Sequence, residues 1–233
     1  MRRLVIYIHG KGGSPEEGDH YKKLFPDSEV IGFDYHSATP WEAKIEFPHF
    51  YDLHSKRYDS VVLIANSIGA YFSMCALGEK NISEAMFISP IVDMEKLIKD
   101  MMAWADIGEE ELQERGTIPT GFGETLSWEY YSYVKNNPIE WHIPTSILYG
   151  GKDNLTSLLT ISEFSKEIGA KLTVMEEGEH WFHTVEQMEF LDNWILDSIG
   201  SKKRKQYSID GLRYKDSRNA MYGISSPDQE KGI

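Results

Sequence analysis

The sequence predicts an α/β fold, a doubly wound and mostly parallel sheet of about six strands. Six short runs are apolar on consecutive residues rather than alternate ones, the pattern of strands covered on both faces. Between them lie segments long enough for helices, so the order reads β-α-β-α. A length of 233 residues, 41% hydrophobic and 26% charged, suits one ordinary domain that is neither disordered nor membrane-embedded.

The first run is Leu4-Val5-Ile6-Tyr7-Ile8, closed by the glycine-rich turn His9-Gly10-Lys11-Gly12-Gly13-Ser14. The second is Val30–Phe33, and the third, Val61–Ala65, leads into an amphipathic helix carrying Tyr71, Phe72, Cys75 and Ala76. The fourth, Ala85–Ile88, and the fifth, Ser146–Tyr149, stand almost sixty residues apart, where a crossover needs about a dozen. The insertion, about 91–143, holds Trp104, Trp128, Tyr130, Tyr131, Tyr133 and Trp141 and an acidic stretch at Glu109–Glu114. Two helices and a loop forming a cap over the sheet would account for it. After the fifth run a helix is expected over 155–168, with Leu158, Ile161 and Ile168 on one face and Gly169 as its stop signal. The sixth run, Leu172–Met175, precedes a helix over 184–199 in which Val185, Met188, Leu191, Ile195 and Ile199 recur at helical steps. The domain is thus expected over 1–200. The segment 201–233 opens with Lys202-Lys203-Arg204-Lys205, has few large apolar groups, and reads as a peripheral basic and polar tail.

The chain carries a formal charge of −13, and residues 1–200, with 16 basic against 33 acidic side chains, carry −17. Such a body repels phosphate backbones and anionic lipid, which argues against nucleic-acid binding and favours neutral or cationic small molecules. Cys75 is the only cysteine, so neither an intrachain disulfide nor a cysteine-cluster metal site is available. The opening apolar run falls short of the roughly 7–15 residues of a secretory signal, and no run approaches the roughly 20 of a membrane span. A cytoplasmic location is expected, with a homodimer left open.

Chemistry concentrates at strand ends. Ala65-Asn66-Ser67-Ile68-Gly69 is a strand-to-helix turn with a serine at its tip, one residue from the G-x-S-x-G nucleophile elbow. Small residues at 65 and 69 suit a strained turn pressed by neighbouring strands. Ser67 would otherwise be a helix N-cap. The turn after the first strand has glycines that let amides face a developing oxyanion, and it lacks the spacing of a dinucleotide loop or a P-loop. The fifth strand ends in Tyr149-Gly150-Gly151-Lys152-Asp153, and the sixth is followed by Glu176-Glu177-Gly178-Glu179-His180-Trp181-Phe182. A serine hydroxyl needs a histidine to take its proton and a carboxylate to fix that histidine's tautomer. Ser67, Asp153 and His180 supply all three, in that order, at carboxyl ends of strands. Asp93 is the rival acid and His183 the rival base. His9 reads as a structural turn residue and Cys75 as an inert core thiol. His180, His183 and Glu179 lack a further ligand at metal spacing.

On these residues the chain, over 4–199, resembles the α/β-hydrolase superfamily, and within it the small bacterial carboxylesterases. The resemblance implies an α/β-hydrolase sheet with an inserted helical cap, no cofactor and no metal. Ser67 matches the nucleophile, Asp153 the acid and His180 the base, and the amides of Lys11 and Ile68 match the oxyanion donors. Ala65 and Asn66 depart from the usual glycine and histidine or aspartate, and the shortened N-terminus omits the family's leading antiparallel strands. The insertion's aromatics either pack the cap's own small core or line an acyl or aryl pocket, with Trp104, Trp128 and Tyr131 the candidates for the pocket. The implied function is a serine hydrolase cleaving an ester or thioester of a small to medium acyl group. An amidase, peptidase or C–C hydrolase with the same triad, or a non-catalytic hydrolase-like binding protein, is the alternative.

Overall fold

The computed structural model describes residues 2–200, so the basic tail expected at 201–233 lies outside the described residues. The elements run β1 (Arg3–Ile8), a 3-10 helix (Pro15–Lys23), β2 (Ser28–Phe33), α1 (Pro40–Ser55), β3 (Ser60–Asn66), α2 (Ser67–Ala76) and β4 (Glu84–Ile88). There follow α3 (Met94–Trp104), α4 (Glu109–Arg115), β5 (Thr117–Pro119), β6 (Thr125–Ser127), α5 (Trp128–Asn136), β7 (Thr145–Gly150), α6 (Leu158–Glu167) and β8 (Lys171–Met175). A last helix, α7, covers 185–200. One compact unit ends at Asp192 and holds the sheet; residues 193–200 belong to a second unit and are helical, with Ser198 Oγ donating to the Trp194 carbonyl at 2.8 Å.

Six strands form one sheet in the order β2-β1-β3-β4-β7-β8, and every pairing in it is parallel. The four inner strands are buried along nearly their whole length, whereas the edge strand β2 mixes buried, half-buried and exposed residues and β8 has only half-buried and exposed ones. Consecutive apolar residues therefore mark the inner strands because helices flank both faces.

Strand order decides where a ligand can enter. The chain steps from β1 outward to β2, then returns to the far side of β1 to lay down β3. The carboxyl ends of β1 and β3 thus diverge at a topological switch point, the place where open α/β sheets leave a crevice. Ile8 pairs with Ala65 there, so the turn after β1 and the turn after β3 face each other across it.

Helices differ from expectation at their ends. In α6, Ile161 is fully buried, but Leu158 is 49% exposed at the first turn, so it does not share the buried face. In α7, Leu191 and Ile195 are buried while Val185, also in a first turn, is exposed. The insertion between β4 and β7 is richer than two helices and a loop. It contains α3, α4, α5 and a two-stranded antiparallel sheet of β5 and β6. Each of those strands buries only its central residue, Ile118 or Leu126, too short a pattern for periodicity to reveal.

Candidate active site

Backbone geometry makes Ser67 accessible. It opens α2 directly after the last residue of β3, at φ 49°, in the left-handed region that a non-glycine residue occupies at a cost of about 1–3 kcal/mol. The turn is held by close packing. A Cβ placed on Gly69 would lie 2.3 Å from the His9 carbonyl oxygen, so only glycine lets α2 approach the turn after β1 this closely.

A second pair of turns brings acid and base together. Gly151 N donates to the Met175 carbonyl and Lys152 N to the Gly178 carbonyl, each at 2.8 Å, joining the turn after β7 to the turn after β8. Gly150 is the contact point, since a Cβ there would meet the Glu179 carbonyl oxygen at 2.4 Å. Asp153, its side chain fully buried, accepts from Leu155 N at 2.8 Å and Thr156 N at 3.1 Å through Oδ1. Those two amides leave Oδ2 facing His180, whose Nδ1 donates to it at 2.7 Å. The opposite ring nitrogen, Nε2, lies 2.8 Å from Ser67 Oγ, close enough to accept its proton.

The rival residues have other partners. Asp93 caps α3, accepting from Lys96 N at 2.8 Å. The His183 ring donates through Nδ1 to the Trp181 carbonyl at 2.8 Å and lies 3.4 Å from Glu179. His9 stacks on Tyr35 with ring centroids 4.4 Å apart and donates through Nδ1 to the Gly10 carbonyl. Burial pushes the Cys75 thiol up to about 11, so it stays protonated near neutral pH. No group of three or more His, Cys, Asp or Glu side chains that could hold a metal occurs among the described residues.

A cavity of about 690 Å³ opens at the switch point, and Ser67, His180, Gly10 and Lys11 line it. Ile68, the first residue after Ser67, is half-buried and does not line it. Of the expected pocket aromatics, none lines this cavity. Trp104 is 55% exposed and packs edge-on against Phe122. Trp128 packs on Tyr131, which is fully buried with its hydroxyl donating to Glu109 Oε2 at 3.0 Å. Two of these aromatics fill the insertion's own packing and one lies on its surface. The cavity draws its aromatic wall instead from Tyr7 and Tyr21 and from Trp181 and Phe182 beside the histidine. The adjacency of Trp181 and Phe182 to His180 was a readable signal. The roles of Tyr7 and Tyr21, on a strand and a 3-10 helix, depend on tertiary placement.

No family model matches the chain, and no curated protein matches it either. Solved structures do. Est1E from Butyrivibrio proteoclasticus superposes with a TM-score of 0.68 at 16% identity, covering 87% of this chain and 88% of that one. The mouse alpha/beta hydrolase domain-containing protein 10 gives 0.66 at 13% identity, covering 85% and 90%. A lipase-esterase related protein from Clostridium acetobutylicum gives 0.57 at 17% identity, covering 83% and 93%. Likeness at such identities is a likeness of fold.

Proposed function

We propose, from the α/β-hydrolase fold that this chain has, that it is a serine hydrolase cleaving a carboxylic ester or thioester of a small to medium acyl group. The observation that carries the reading is the connected path from Ser67 Oγ through the His180 ring to Asp153, at 2.8 and 2.7 Å, with Ser67 in a left-handed turn. Esterases and a thioesterase domain among the neighbours in fold support it.

In this reading Ser67 Oγ attacks the substrate carbonyl carbon as His180 Nε2 takes its proton. The carbonyl π electrons move to oxygen, and the amides of Lys11 and Ile68 hold that oxyanion. Each such donor contributes about 3–4 kcal/mol in comparable sites. Asp153 keeps the proton on Nδ1 and stabilises the imidazolium. The tetrahedral intermediate then expels the alcohol or thiol, which receives its proton from His180. Water, deprotonated by the same nitrogen, attacks the acyl-serine and releases the carboxylic acid and free Ser67. No step needs a cofactor. The sole cysteine, Cys75, fits a reducing, cytoplasmic setting. No helix among the described residues is long and apolar enough to cross a membrane.

A fluorophosphonate probe tests the nucleophile. One label per chain on Ser67 is expected, and Ser67→Ala should remove it together with turnover of a panel of esters, thioesters and amides. A label that persists in Ser67→Ala, found on another peptide, overturns the assignment. Amides turned over faster than esters would move the reaction to the amidase alternative.

A further inference from the structure

The charges around the cavity do not cancel, and the imbalance has a chemical meaning. Three basic side chains line the cavity besides His180, and each lies beside a carboxylate, the one beside His20 being shared with Lys23. Lys11 Nζ pairs with Glu124 at 2.5 Å, His20 Nε2 with Asp192 at 2.6 Å, and His183 Nδ1 with Glu179 at 3.4 Å. His180 has Asp153. Glu17 is the only carboxylate among the described lining residues, and no described Lys, Arg or His forms an ion pair with it. Among the described residues its side chain has one hydrogen-bond partner, the neutral Tyr7 hydroxyl, which donates to Oε2. That phenol stays protonated, since burial, Tyr21 and Glu17 all push its ionisation upward. Tyr7 oxygen in turn accepts from Asn66 Nδ2 at 3.0 Å, and Asn66 immediately precedes the nucleophile. The unpaired carboxylate is therefore two hydrogen bonds from the residue beside Ser67. It also packs against the turn after β1, where both its oxygens would lie 3.0 Å from a Cβ on Gly13.

Aromatic rings share the cavity with this carboxylate. Trp181 lines it and is 68% exposed, with one face of its indole stacked on His183 at 4.7 Å. Tyr21 adds a second ring. A lone carboxylate among aromatic rings, in a cavity whose one lysine is already paired, attracts an organic cation by charge and by the negative faces of the rings. It disfavours a carboxylate or phosphate.

We infer that Glu17, with Trp181, selects substrates that carry an ammonium group in the acyl or the leaving part. The inference rests on the serine-hydrolase reading. It adds a substrate class to that reading.

The test uses the full chain as wild type, Glu17→Gln and Glu17→Lys; glutamine keeps the side chain's size and an acceptor for Tyr7. Calorimetric titration with butyltrimethylammonium, and with a neutral alcohol bearing a tert-butyl group in its place, reads the cation site without turnover. The cation should bind wild type at least about tenfold more tightly than the alcohol, and Glu17→Gln should remove most of that difference. Esters with trimethylammonium or its tert-butyl isostere, placed first on the acyl side and then on the alcohol side, should show the same order in kcat/KM. The ratio should fall toward one in Glu17→Gln and reverse in Glu17→Lys, and the position with the larger ratio identifies which part faces Glu17. Equal binding of cation and isostere by wild type, or an unchanged difference in Glu17→Gln, overturns the inference. Absent turnover and absent Ser67 labelling overturn the hydrolase reading separately, because the titration still decides the cation site.

Discussion

His180 is held between Ser67 and Asp153 by two joined turns, and this makes the contributions of single residues separable. Asp153→Asn should leave the fold intact but lower kcat by roughly 10⁴-fold, because the amide favours the wrong imidazole tautomer. His180→Ala should remove nearly all turnover, while His183→Ala, whose ring bonds to the Trp181 carbonyl, should keep the acyl-enzyme chemistry. Steady-state kinetics on one activated ester checks both, and the reverse ranking of the two histidines would move the base to His183. Gly150→Ala is the sharper probe of position. Its new Cβ would meet backbone atoms, the carbonyl oxygens of Glu179 at 2.4 Å and Gly178 at 2.7 Å, and no rotamer change relieves that contact. The loop bearing His180 must shift, and a shift near 1 Å costs about 100-fold in rate. Wild-type kcat in Gly150→Ala would mean the joined turns do not position the base. The juxtaposition of Ser67, Asp153 and His180 is legible in the sequence because each falls in a short motif at a strand end, and the structure brings the three within hydrogen-bond distance. That of Glu17 and Tyr7 is not, because what sets them apart is a contact between β1 and the 3-10 helix, and nothing at positions 7 and 17 announces it.

At the scale of elements, the inner strands were readable and the insertion only partly so. Leu4–Ile8 and Val61–Ala65 are consecutive apolar runs because β1 and β3 are covered on both faces, a direct imprint of burial on sequence. The hairpin of β5 and β6 leaves no such imprint with one buried residue per strand. The insertion's aromatics are ambiguous for a related reason, since an aromatic side chain looks the same in sequence whether it fills a core or walls a pocket. Trp141 is buried, donates through Nε1 to Thr145 Oγ1 at 2.8 Å and packs on Phe87, so it ties the end of the insertion to the sheet. Truncating it to Ala should cost about 3–5 kcal/mol, whereas Trp104→Ala, at a half-exposed ring, should cost well under about 1 kcal/mol. Denaturant unfolding ranks the two. Ester chain-length profiles then separate packing from recognition. Trp104→Ala should keep the parent profile, and Trp181→Ala should change the ratio of long to short acyl esters by about tenfold. A changed profile in Trp104→Ala alone would return the pocket to the insertion.

At the scale of the whole molecule, the proposed preference for a cationic substrate has a second candidate source in the net charge. At −13 the chain concentrates cations around itself, and this long-range field is distinct from the local contact at Glu17. Salt tells the two apart. The screening length falls from about 30 Å at 0.01 M to about 10 Å at 0.1 M and about 3 Å at 1 M. Charges spread over the surface lose their hold on an approaching ammonium ion across that range, while a carboxylate in contact with the bound cation keeps part of its attraction. The kcat/KM ratio of a cationic ester to its neutral isostere should therefore decline as sodium chloride rises, then level off above one near 0.5 M. In Glu17→Gln the decline should remain, because the rest of the acidic surface is intact, but the plateau should fall to about one. The neutral ester supplies the baseline in both proteins, since salt acts on it only through weaker effects. A wild-type ratio that falls to one at high salt would assign the whole preference to the global field. A ratio indifferent to salt in both proteins would mean that surface charge plays no part in bringing substrate to Ser67.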